Sequence, residues 1–143
     1  MNAKLKNLLA IIVGLFLGSL LNMGLVIAGS LWVPVPEGVD VTTSEGLKAG
    51  MHLFKPINFV FPFLAHALGT LVGAFSAAFL ASAGKEKYMA LVIGILFLTG
   101  GFINVMLLPS PMWFNILDLG VAYLPMSFLA LRLLPEKKAK IKV

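Results

Sequence analysis

Two side chains in the apolar stretches of this chain belong to acid–base chemistry, His66 and Asp118. A polar group inside lipid is costly, so it normally faces the protein interior or a cavity. Three amides share the setting, Asn22, Asn104 and Asn115, with Thr70, Ser19 and Thr99 as weaker partners. An imidazole beside a carboxyl group exchanges a proton near neutral pH, or holds a cationic or hydrogen-bonding ligand. His52 falls in a polar connection and is read as a loop or interfacial residue.

Much other chemistry is missing. The chain has no cysteine, which removes thiolate catalysis, disulfides and Cys-ligated metal. Its two histidines do not make an all-His metal site. H-E-x-x-H, G-x-S-x-G and the Gly-rich phosphate loops are all absent. Asp118 is the one acidic residue within an apolar run, which argues against a two-aspartate mechanism. No metal and no cofactor is expected.

The elements that must position these groups follow from composition. Of 143 residues, 59% are hydrophobic and 12% charged, and the mean hydropathy is +0.99. A soluble domain carries about twice that charged fraction. The expected fold is all-α: one polytopic membrane domain over 1–143, a four-transmembrane-helix bundle with spans at about 8–32, 57–83, 88–108 and 114–134. Soluble enzymes and nucleic-acid modules are poor fits, so the expected partners are membrane lipids, a second copy of the chain or another membrane protein, and not nucleic acid. The expected location is a bacterial-type inner or plasma membrane, multi-pass. The first apolar run exceeds the roughly 7–15 residues of a signal-peptide core. Ala28-Gly29-Ser30 resembles a cleavage site and leaves cleavage as the lesser alternative.

The 33–55 segment is the only long polar connection. Pro34 and Pro36 stop the first helix, and Thr42 with Glu45 has the T-x-x-E spacing of a capping box, predicting a short helix through Phe54. Pro56 and Pro62 interrupt the approach to the second span. From Pro56 to Ala83 is about 42 Å of helix, so tilt, a kink at Pro62 or an interfacial first turn must absorb the excess over the roughly 30 Å bilayer core. Trp113 is placed for the aromatic belt.

Charge sets the expected orientation. Lys4, Lys6, Lys85, Lys87, Arg132, Lys137, Lys138, Lys140 and Lys142 fall on one side, with only Lys48 and Lys55 on the other. The positive-inside rule then puts both termini in the cytoplasm and the 33–55 loop outside. The lysine tail reads as a topology anchor, with binding to anionic headgroups as the sharper alternative.

Ala65, Gly69, Gly73, Ala77 and Ala81 recur every four residues along the second span. They form one helix face with almost no side chain, as in GxxxG packing. Gly14 and Gly18 repeat the pattern in the first span, and Gly100-Gly101 offers a flat spot in the third. Packing inside one bundle is favoured over a dimer interface, because short connections already make spans two to four neighbours.

Depth brings the polar groups together. Measured from the nearest cytoplasmic basic residue, Asn22 lies about 24 Å, His66 about 28 Å, Asn104 about 26 Å and Asp118 about 21 Å along its helix. Each also shares a face with small neighbours. The expectation is an outward-facing intramembrane pocket with His66 and Asp118 as its ionisable pair and Asn22, Asn104, Asn115 and Thr70 beside them, binding or transporting a small solute or lipid group. The alternatives are an accessory subunit whose polar layer is interhelical glue, and an intramembrane acid–base enzyme.

Overall fold

The computed structural model describes residues 2–135, and within them every regular element is helical. The elements are α1 (Ala3–Trp32), α2 (Ser44–Gly50), α3 (Val60–Leu80), α4 (Glu86–Leu107), α5 (Met112–Val121) and α6 (Leu124–Arg132). Short 3-10 turns at Met51–Leu53 and Pro56–Phe59 lead into α3. Four segments are long and apolar enough to cross a bilayer: Ala3–Trp32, Pro56–Leu80, Glu86–Leu107 and Met112–Arg132. The tail lysines at 137, 138, 140 and 142, expected as an anchor, lie outside the described residues.

The most buried of the four segments is the one containing α3, which packs against α1, α4 and α6. Its small face meets α1 backbone to backbone. A Cβ on Gly14 would stand 2.6 Å from the Gly73 carbonyl oxygen, and one on Gly18 would stand 2.6 Å from that of Gly69. The relation is mutual, since a Cβ on Gly69 or Gly73 would meet the Gly18 or Gly14 carbonyl at 2.9 and 2.8 Å. The stripe is therefore covered within the chain by the first helix, the neighbour that the long 33–55 connection left unspecified. Ala65 and Ala77 are fully buried along the same helix, and Asn7 accepts hydrogen bonds from the Ser82 amide and hydroxyl at 2.9 Å, tying the start of α1 to the α3–α4 turn.

Three local features differ from the sequence reading. Thr43, not Thr42, caps α2, its hydroxyl oxygen accepting from the Gly46 amide at 3.0 Å. Thr42 is engaged one step earlier: its amide and hydroxyl both donate to Asp40, at 2.8 and 2.6 Å, and the Thr43 hydroxyl donates to the same carboxylate. Those bonds, led by the Thr42 hydroxyl, hold the exposed Asp40 carboxyl below its ordinary range. The expected run through Phe54 also divides, the α-helix ending at Gly50 and a 3-10 turn following. Pro62 makes no mid-helix kink, because it is the third residue of α3, where an amide has no intrahelical acceptor in any case. The 3-10 turn at Pro56–Phe59 redirects the chain instead, with Asn58 accepting from the Lys55 amide and donating to the Pro34 carbonyl.

The fourth segment is broken in two. Pro125 cannot donate to the carbonyl four residues back and its ring crowds that turn. Helix α5 stops at Val121, Tyr123 takes φ −117°, ψ −82°, and α6 restarts at Leu124. Glycines on α4 make room for the restart: Gly94 lies against Ser127 and Gly101 against the Tyr123 phenol.

Candidate functional site

The break at Tyr123 builds the centre of the site. On an unbroken helix Tyr123 would sit about 140° around from Asp118. With the helix interrupted, its hydroxyl donates to Asp118 Oδ2 at 2.9 Å. His66, from α3, places Nδ1 2.9 Å from both oxygens of the same carboxylate. Asp118 is 2% exposed, so its two hydrogen-bonded neighbours replace the water it gives up on burial. The His66 and Tyr123 rings stack with centroids 5.8 Å apart, which fixes the imidazole on a second side.

This arrangement decides which nitrogen faces outward chemistry. A carboxylate bonded at Nδ1 keeps the proton there, leaving Nε2 as the free position of the ring. Nε2 has no hydrogen-bond partner among the described residues. In the neutral ring it offers a lone pair, and in the charged ring a proton. Thr70, one turn along, donates its hydroxyl to the His66 carbonyl at 2.7 Å and is buried.

Two cavities meet at this pair. The smaller, about 310 Å³, is lined by Asn22, His66, Thr70, Phe97, Asn104 and Tyr123 among others. The larger, about 550 Å³, extends from Asn22, His66, Asn104 and Asp118 toward the 33–55 loop, between apolar walls that include Val26, Phe61 and Met51. Beneath the loop, Met51, Phe59 and Phe114 form an apolar cluster, with the Phe59 and Phe114 rings 4.7 Å apart.

All four segments thus contribute a polar group around one space: Asn22 from α1, His66 and Thr70 from α3, Asn104 from α4, and Asp118 with Tyr123 from the last. The groups are not equally engaged. Asn22 Oδ1 is buried without a hydrogen-bond partner, and Asn104, on an exposed stretch of α4, lines both cavities. Asn115 is not brought to the pair. Its carbonyl accepts from the Ser110 hydroxyl at 2.6 Å and its amide donates to the Ser110 backbone, so it closes the turn before α5 while lining the larger cavity. Tyr123 escapes a helical reading of the sequence, although Pro125, two residues on, marks the place where that reading must fail. Among the described residues no group of three or more His, Cys, Asp or Glu could hold a metal ion.

No protein-family model matches the chain, and comparison with curated proteins and with solved structures finds no match to either.

Proposed function

We propose that this chain is a small integral membrane protein that takes up a small hydrogen-bonding solute or lipid group into the polar cavity around His66 and Asp118. In this reading the 33–55 loop faces outside and the termini face the cytoplasm, because the basic residues gather at the opposite end from the loop. The cavity then opens toward the outer leaflet.

One observation carries the reading. Interhelical glue would require the polar layer to satisfy itself, since buried polar groups are almost always paired. Here only His66, Asp118 and Tyr123 close on one another, while Asn22 Oδ1 is buried and unpartnered beside them. An orphaned acceptor next to a free imidazole nitrogen in a cavity calls for an occupant that donates. Asp118 and Tyr123 act as positioning residues that present His66 Nε2, and Asn22 and Asn104 supply the remaining donors and acceptors. The accessory-subunit reading loses the small-residue stripe as a docking face, because Gly14, Gly18, Gly69 and Gly73 are consumed by each other.

The test is accessibility of Nε2. Diethyl pyrocarbonate applied to right-side-out vesicles carrying the His52→Gln variant is expected to acylate His66, read by mass spectrometry of the peptide. Labelling of His66 only after denaturation would overturn the reading.

A further inference from the structure

Taking the binding reading above as given, we infer that the occupant is a planar, uncharged ring bearing oxygen functions and carrying an apolar tail, the chemistry of a quinol or quinone. Four observations converge on it.

Charge comes first. Neither cavity is lined by Lys or Arg, and the one carboxylate present is already paired with His66 and Tyr123. A phosphate or carboxylate ligand would be buried there without a counterion, at a large cost. Phospholipid headgroups are thereby disfavoured, and an uncharged polar end is selected.

Shape comes second. The smaller cavity is walled by Gly69 on α3 and Gly100 and Gly101 on α4, with the Phe97 and Tyr123 rings beside them. Glycine walls and aromatic faces make a slot suited to a flat ring. At about 310 Å³ it is at the small end of ligand sites, the right scale for one substituted ring.

Polar placement comes third. His66, Asn22 and Asn104 reach the slot from α3, α1 and α4, three different directions. A ring with oxygens on opposite edges engages more than one of them at once, whereas a single hydroxyl would leave the rest unpaired. A quinol hydroxyl supplies the donor that Asn22 Oδ1 lacks.

Access comes last. The larger cavity shares Asn22, His66, Gly101 and Asn104 with the slot and is otherwise mostly apolar, a continuous place for a tail. Gly100, Ile103 and Asn104 on the slot's α4 rim are exposed, and α1 meets α4 far less than it meets α3, so the slot lies open toward the bilayer. Quinol and quinone rings dissolve in that phase, and charged or sugar headgroups do not.

The test uses the full chain in phosphatidylcholine nanodiscs, with Trp32→Phe so that Trp113 is the only tryptophan. Trp113 packs on Phe59, which lines the larger cavity. Decylubiquinol, held reduced under argon, is titrated and Trp113 fluorescence followed. Partitioning into lipid quenches linearly with concentration, and site binding saturates. We expect a saturable component whose half-saturation rises about tenfold in Asn22→Ala, the scale of one lost buried hydrogen bond, and which vanishes in Gly100→Phe. A Cβ at Gly100 meets nothing within 4 Å, so the new side chain has room to start at the wall of the slot; circular dichroism and thermal melts check both folds. Quenching that is linear throughout, or saturation indifferent to both variants, overturns the assignment. Either result together with acylation of His66 from outside removes this ligand and leaves the cavity reading standing; without that acylation both fall.

Discussion

The helices α1 and α3 run together along their length, yet their two ends are built on opposite rules. Where Gly14 meets Gly73 and Gly18 meets Gly69, backbones touch and no side chain intervenes. One turn further toward the loop, Asn22 and His66 take over, the helices hold polar groups between them, and a cavity begins. The contrast shows how the same pair of helices is fastened at one end so that it can stay apart at the other. In the membrane reading proposed above, dispersion between backbones does the fastening, because lipid leaves no hydrophobic drive for helix association.

The largest expected effect breaks the fastened end. Gly18→Leu must displace the Gly69 carbonyl and the Phe97 ring at once, and backbone cannot rotate away as a side chain can. A loss of about 3 kcal/mol is expected, read as a lowered unfolding midpoint in detergent. Next comes the paired centre of the open end. Asp118→Ala leaves the His66 imidazole and the Tyr123 phenol without their acceptor, at a cost of about 3 kcal/mol or slightly less. Asp118→Asn retains an acceptor and is expected to keep the fold while losing ligand binding. If Asp118→Asn instead destabilises as much as Asp118→Ala, the carboxylate is structural cement and the distinction between the two ends collapses.

Tyr123→Phe removes one hydrogen bond to that carboxylate, about 2 kcal/mol, and should loosen His66 without unfolding the chain, seen as a faster rate of imidazole acylation. Gly100→Ala sharpens the contrast in the opposite direction. With open space where its Cβ goes, it is expected to stabilise α4 by about 0.5–1 kcal/mol, whereas Gly14→Ala on the closed face destabilises. Equal signs at the two positions would deny that the glycines serve different ends.

How far the sequence carried the description varies along the chain for physical reasons. Hydropathy finds the four segments because each is apolar over a length sufficient to cross a bilayer, whatever its neighbours. The stripe on α3 is legible, but its partner is not: connection length names adjacent helices, and α1 is joined to α3 through the one connection too long to constrain it. Around the cavity, depth and facing bring Asn22, His66, Asn104 and Asp118 to one level, since rise per residue is fixed in a helix. Asn115 and Tyr123 lie outside that arithmetic. Asn115 is captured by Ser110 in its own turn, a local bond that competes with any distant one. Tyr123 is swung onto Asp118 by a break that a regular wheel does not contain. Thr42 and Thr43 repeat the lesson outside the four long apolar segments, where Asp40 engages both hydroxyls and only the second threonine also caps α2.

The smallest prediction lies in that loop. Asp40 is held below its ordinary value of 3.8 by Thr42 and Thr43. A depressed carboxyl stabilises the native loop above the unfolded value, and the benefit is lost as pH falls through the folded one. Thr42→Val should move the Asp40 titration up toward the ordinary value, measurable by nuclear magnetic resonance in micelles.

The interruption before Pro125 has one more consequence. With the phenol clamped on one side of the carboxylate and the imidazole on the other, Asp118 faces the larger cavity, which it lines together with His66. Behind it the helices close on Ala74, Ala77, Ala90 and Ile93, all fully buried. In the binding reading proposed above, a proton that reaches the aspartate from the cavity meets only these apolar side chains beyond it, so the pair is a cul-de-sac and not a wire to the far side.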